Sequence, residues 1–255
     1  MPIPADLICR LHLPQENWQA VLYINNERGS FMISVAIDGP AGAGKSTIAR
    51  QAAKTLGFVY VDTGALYRSI SLYMLRHQVD ISDEAAVIAA LPAVSVELVF
   101  QEGQQHVLLC GEDVSEAIRT PEVSMATSKV SAIGAVRSFL LNLQKEMAEK
   151  NNIIMDGRDI GTVVLPNAQV KLFLTASAEE RAKRRFRELQ EKQVEITFGE
   201  VLADIEARDY QDCHRVVAPL KQAEDAELLD TSDLTLEESI EAVTKRITDY
   251  LAQNV

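Results

Sequence analysis

A chain of 255 residues is long enough to bury a self-sufficient hydrophobic core in one large or two small domains. Its 47% hydrophobic and 24% charged residues exclude disordered, fibrous and membrane-embedded classes. Twenty-five basic against 37 acidic side chains give a formal net charge of −12, which excludes a general phosphate-coating surface for DNA or RNA, so any anionic ligand must be held locally. Cys9, Cys110 and Cys213 are odd in number and lack CxxC spacing, which reads as reduced thiols in a cytoplasmic protein rather than a disulfide framework or zinc site. No apolar stretch reaches the ~18 residues of a membrane span.

In chain order, residues 1–31 carry early prolines, a polar run Asn25–Ser30 and no sustained periodicity. Arg10, His12, Pro14 and Glu16 interrupt any signal-peptide core. The expectation is a dispensable leader, with Met32 the more natural start of a folded domain over 32–255. A strand follows at 33–38, a helix at 44–55, a strand at 58–61 and a helix at 64–77. Val94–Phe100 and Gln105–Cys110 then alternate with period two around Gln101–Gln104, the pattern of an antiparallel hairpin. Helix 134–149 and strands 153–156 and 170–174 come next, then helices 178–190 and 196–210, strand 227–230 and helix 235–252. Ser177-x-x-Glu180 and Thr235-x-x-Glu238 read as capping boxes. Short apolar runs alternating with amphipathic stretches predict an α/β fold, a five-stranded parallel sheet flanked by helices. The hairpin is awkward inside such a sheet and reads as part of an inserted subdomain.

Gly39-Pro40-Ala41-Gly42-Ala43-Gly44-Lys45-Ser46 matches GxxxxGK[ST], and its place between a strand and a helix makes it a phosphate-binding loop. In this reading the backbone from Gly39 to Thr47 cradles the phosphates of ATP, Lys45 reaches the β- and γ-phosphates, and Ser46 ligates Mg²⁺. Asn152-Ile-Ile-Met-Asp156 is an apolar strand ending in a carboxylate, as a second-strand acid would be. Arg181, Lys183, Arg184, Arg185 and Arg187 put five cations in seven residues of an acidic protein. This is a solvated face or, as favoured here, a lid bringing arginines over a moving phosphate. Helix geometry allows only two or three of them to reach a ligand. The sequence has no Asn-Lys-x-Asp guanine-reading motif, and its charge disfavours a nucleic-acid motor. A kinase for a small anionic acceptor and a non-catalytic nucleotide-binding module both stay open at this point. Arg68, Arg137, Arg158, Arg208 and Arg215 offer a second anion site.

Taken together, Gly39–Ser46, Asp62-Thr-Gly-Ala-Leu-Tyr-Arg68, Asp113–Arg119, Asp156-Gly-Arg-Asp-Ile-Gly-Thr162, Glu180–Arg185, Arg208-Asp-Tyr-Gln-Asp212 and Arg215–Pro219 resemble the bacterial cytidylate (CMP) kinase family of nucleoside monophosphate kinases. The resemblance covers about residues 33–250. It implies ATP:(d)CMP phosphotransfer with ATP and Mg²⁺, by a P-loop kinase core at 32–63, 153–177 and 220–255. It further implies a CMP-binding insertion at about 64–150 and a helical lid at about 178–195. Carried over to matching positions, it implies that Arg68 and Arg158 hold the CMP phosphate with Thr63 nearby, that Ser128, Arg137 and Asp159 read the base, and that Arg208 and Asp212 hold the ribose. Arg215 would complete the base-side network, and Lys45, Arg158, Arg184 and Arg185 would carry the catalytic electrostatics. Thr63 stands where a serine is common, and residues 1–31 have no counterpart. The expected partners are the small molecules CMP and dCMP with ATP, with no nucleic acid or membrane, and without an interface stripe the chain reads as a monomer.

Overall fold

A computed structural model describes residues 32–101 and 104–254, so the leader expected at 1–31 lies outside the described residues. In chain order the elements are β1 (Ser34–Asp38), α1 (Lys45–Leu56), β2 (Val59–Asp62), α2 (Thr63–Arg76), α3 (Glu84–Ala90), β3 (Val96–Gln101), β4 (Gln104–Leu109) and β5 (Glu112–Asp113). They continue as α4 (Pro121–Val130), α5 (Gly134–Lys150), β6 (Ile153–Gly157), β7 (Val170–Thr175), α6 (Ala178–Glu191), α7 (Phe198–His214), β8 (Glu227–Asp230) and α8 (Leu236–Asn254).

The order β2-β6-β1-β7-β8 makes the expected five-stranded sheet, with every pairing parallel. Its middle strand shows why: Val35, Ala36 and Ile37 are each fully buried, as a strand covered on both faces must be. Alternation sends Val35 and Ile37 to the face covered by Ile48 and Ala52 of α1 and Val243 and Ile247 of α8. Ala36, Val61, Ile153 and Met155 face the other way, against Ala148 of α5 and Ile160 and Val164 of the turn after β6. Burying each large side chain contributes about 1.5–3 kcal/mol.

Between β2 and β6 the chain builds a second core on α2. Leu66, Ile70 and Met74 pack with Val87 of α3, Val107 of β4, Ile118, Val123 and Val130 around α4, and Leu140 of α5. The hairpin expected at 94–110 pairs from Val96↔Leu109 to Gln101↔Gln104, and β5 adds a third strand through Leu108↔Asp113. Two residues carry no readable period, so β5 is invisible in sequence. The helices α3 and α4 were also not predicted, although Asp83 caps one, and Thr120 caps the other with Pro121 at its first position.

The helices α6 and α7 pair over a small core of Ala182, Val201 and Ile205, with Phe186 and Phe198 edge to face at 6.0 Å. A capping box joins Thr197 and Glu200 at the start of α7. The box expected at Thr235 and Glu238 forms in both directions, at 2.8 and 3.1 Å. At Ser177 only half forms: its hydroxyl accepts from Glu180 N–H, while its own N–H donates to Ser232 Oγ. Helix α7 runs four residues past the expected end at 210, so Asp212 sits on helix rather than in a loop. Among the described residues no helix is long and apolar enough to cross a membrane.

Candidate active site

The phosphate loop leaves β1 at Gly39, whose φ is 148°. A Cβ there would lie 1.8 Å from the Leu174 carbonyl oxygen, so only glycine lets the loop run against β7. Gly44, at φ 79°, caps α1 without a side-chain bond, which leaves the first N–H groups of the helix free to face an anion. Lys45 is 5% exposed, and its Nζ donates to the Pro40 carbonyl at 2.7 Å, folded back over its own loop. Burial, reinforced by Arg158, pushes this ammonium down to about 7, the signature of a cation awaiting an anion.

Ser46 Oγ donates to Asp156 Oδ2 at 2.8 Å, and Tyr60 Oη donates to Oδ1 at 2.9 Å. Burial, with Asp62 adding to it, raises the Asp156 carboxyl to about 6. This hydroxyl and carboxylate are hard oxygen donors with lone pairs to spare, and they fit Mg²⁺. Among the described residues no three His, Cys, Asp or Glu side chains gather as a metal-ligand cluster.

Five arginines converge opposite the loop. Arg158 donates from Nε to Asp212 Oδ2 at 2.8 Å and from Nη1 to the Gly157 carbonyl at 3.2 Å. Arg137 donates from Nη2 to Asp159 and from Nη1 to the Ser131 carbonyl, its guanidinium lying 5.2 Å above the Tyr67 ring. Arg215 reaches to 3.6 Å from Asp159 and 3.7 Å from Asp212, and its buried Nη2 has no hydrogen bond. Arg68 pairs with Asp62 at 2.7 Å and leaves its Nε unpartnered. Arg208 forms no hydrogen bond or ion pair among the described residues, and burial followed by Arg158 lowers its pKa. Burial raises the Asp212 carboxyl, but Arg158, Arg215 and Arg208 together outweigh that, so it titrates below its ordinary range.

These groups line one cavity of about 370 Å³ with seven cationic and five acidic side chains, a local positive surplus in a chain of charge −12. Its wall takes in Ala41, Gly42, Ala43, Gly44, Lys45, Ser46 and Thr47 on one side. Thr63, Arg68, Ser128, Arg137, Arg158, Asp159, Arg208, Asp212 and Arg215 lie on the other, with Arg184 also on the wall. Gly39 and Pro40 are not part of this wall. The Thr63 hydroxyl is committed, donating to the Asp156 carbonyl at 2.7 Å, so only its oxygen lone pairs remain for a ligand.

The cationic run on α6 divides its work differently from the sequence expectation. Arg181 is buried and ties α6 and α7 to the loop, donating to the Ala41 carbonyl at 2.9 Å and pairing with Asp209 through two bonds. Arg184 donates to the Thr231 carbonyl at 2.7 Å from the cavity wall. Arg185, given a catalytic role in the sequence reading, is not itself on the wall; it is exposed and pairs at 3.0 Å with Glu188, a carboxylate that does line the cavity. One step along a helix rotates a side chain by about 100°, so neighbours cannot share one target. Tyr67 and Asp62 also line the cavity, and Tyr60 braces Asp156 behind it, although none of the three was chosen from sequence. Their signal was position, since Asp62 and Tyr67 lie within the Asp62–Arg68 motif and Tyr60 two residues before it.

The family described as cytidylate kinase matches residues 35–249. A cytidylate kinase of Caldanaerobacter subterraneus is 51% identical over 215 residues, covering 84% of this chain and 94% of its own. Those of Lactobacillus gasseri and Pasteurella multocida are each 48% identical, covering 86% of this chain and 95% and 96% of their own.

Proposed function

The chain belongs to the cytidylate kinase family and is a nucleoside monophosphate kinase, and from that premise we propose that its cavity transfers the γ-phosphate of ATP to the phosphate of CMP or dCMP. The carrying observation is one cavity with two anion ends: the phosphate loop with Lys45 and the uncapped start of α1, and the arginine cluster around Arg158. ATP belongs to the first end. The acceptor belongs to the second, with Arg68 and Arg158 on its phosphate, Arg137, Asp159 and Ser128 on its base, and Arg208 and Asp212 on its ribose.

The attacking atom is a phosphate oxygen that is already anionic, so no general base is needed. Lys45, Arg158 and Arg184 neutralise charge on the transferring group, and fixed guanidinium forks hold donor and acceptor in line. Ser46 and Asp156 would hold Mg²⁺, which supplies charge neutralisation on the ATP phosphates. The Asp159 carboxylate accepts from the cytosine amino group, whereas uracil presents an oxygen there. Cys110 and Cys213 are free and exposed, which supports the cytoplasm as the working compartment.

Acceptor-dependent ADP release with CMP, dCMP, UMP, AMP and shikimate tests the reading. Rapid release with CMP and dCMP and slow release with the others is expected. Preference for AMP or shikimate would reassign the acceptor, and ATP binding without any acceptor-dependent release would make the chain a sensing module.

A further inference from the structure

The last residue of β1 is an anomaly in its strand. Val35, Ala36 and Ile37 are apolar and fully buried, yet Asp38 is a carboxylate only 4% exposed. Such a group needs partners, and it has two: Oδ1 accepts from Ile160 N–H at 2.8 Å and Oδ2 from Gly161 N–H at 2.7 Å. These residues open a single wide turn, Ile160–Val164, closed by Leu165 N–H on the Ile160 carbonyl at 2.7 Å. The leading N–H groups of a helical turn have no partner within it, so an outside acceptor sets where the turn sits. Asp38 lies in register with Gly157, immediately before Arg158 and Asp159, and the turn begins immediately after them. The residue that follows Asp38 is Gly39, the first of the phosphate loop.

One carboxylate thus grips the far side of the Arg158–Asp159 segment from the strand end that launches the phosphate loop. The packing leaves little slack. A Cβ at Gly161 would come within 3.2 Å of Lys171 Cδ and 3.4 Å of Asp38 Oδ2, and one at Gly157 would come within 2.8 Å of Ile160 Cγ1. We propose that Asp38 is a positioning residue for the acceptor: by holding the Ile160 and Gly161 N–H groups it fixes the aim of Arg158 and Asp159 and their distance from the phosphate loop. The proposal rests on the acceptor-side roles given above to those two residues. Burial pushes the Asp38 carboxyl up and the two N–H donors pull it back, leaving it at about 6, so its placement depends on those donors.

Asp38→Asn keeps the shape but offers one acceptor to two donors, its amide N–H₂ opposing the second. Dissociation constants for CMP and ATP are measured separately by calorimetry, with amide exchange at Ile160 and Gly161 and with Asp159→Ala as a control. The variant is expected to bind CMP about tenfold more weakly, to bind ATP within about threefold of the unsubstituted chain, and to exchange both amides faster. Unchanged CMP affinity in the folded variant, or equal losses for CMP and ATP, overturns the proposal. Should Asp38→Asn fail to fold, Gly161→Ala decides: it keeps the carboxylate and both donors but crowds Oδ2, so a severalfold loss confined to CMP supports the proposal and no loss overturns it. Unaltered CMP affinity in Asp159→Ala would place the failure in the acceptor-site reading and take the proposal with it. Loss there without loss in Asp38→Asn would place the failure in the role of Asp38 alone.

Discussion

Replacing Asp159 with asparagine should change which pyrimidine the site accepts. In the structure Asp159 is 4% exposed, with Oδ2 accepting from Arg137 Nη2 and Oδ1 facing Arg215 Nη2 at 3.6 Å. An asparagine keeps its single oxygen on Arg137, because a guanidinium only donates. Its N–H₂ group then stands where Oδ1 was. In the proposed site CMP would donate its amino group to Oδ1 of the carboxylate, whereas the oxygen of uracil would lose that bond and meet like charge. The difference is about 2 kcal/mol, or roughly a 30-fold preference for CMP in kcat/KM. With the amide present, the amino group of cytosine meets another donor and the oxygen of uracil gains one. The preference should fall below about threefold or reverse. The variant also weakens the pairing of two buried guanidinium groups, a cost of about 2 kcal/mol that lowers Tm by about 4–8 °C in a domain of this size. ADP release with CMP and with UMP at saturating ATP measures the ratio, and a melting curve confirms folding. A folded Asp159→Asn protein with an undiminished CMP-to-UMP ratio would refute the argument.

Lys45→Ala should lower turnover by about 10²-fold or more while the melting temperature moves little. Because burial and Arg158 depress the Lys45 pKa, a triphosphate beside it must raise it; ATP binding between about pH 7 and 9 should take up protons, seen by calorimetry in buffers of different ionisation heat and lost in Lys45→Ala. Proton release, or uptake that persists in the alanine variant, would contradict this. Gly39→Ala forces a methyl to within 1.8 Å of the Leu174 carbonyl oxygen and should destabilise by more than about 3 kcal/mol, read from urea unfolding. Leu140→Ala, at the fully buried centre of the insertion core, should cost about 2–5 kcal/mol and weaken CMP more than ATP.

Much of the core was legible because its signals are local. The strands at 33–38, 153–156 and 170–174 are continuous apolar runs, and a strand covered on both faces can be little else. The phosphate loop was legible for the same reason, since glycines at fixed spacing have few other uses beside a strand end. The elements missed were those whose stability comes from elsewhere: α3 has seven residues, α4 ten and β5 two, and each persists by packing in the core around α2 or pairing with β4. The longer reach of α7 has a related cause, since its last turn is held by the Arg158 to Asp212 pair across 54 residues.

The sequence by itself determined that this acidic chain folds as α/β, carries a phosphate loop and gathers its few cations in motifs shared with cytidylate kinases. Composition and spacing are one-dimensional quantities, and they suffice for that. Only the tertiary structure decided where each cation sits. The phase of α6 is set by Ala182 packing against Val201 and Ile205, and that phase turns Arg181 inward to Ala41 and Asp209, keeps Arg184 on the cavity wall and leaves Arg185 off it, exposed and paired with the wall residue Glu188. Likewise nothing in the order of residues says that Asp38 meets Ile160 and Gly161, 122 and 123 positions away along the chain. A helix face and a strand end acquire a direction only when something packs against them.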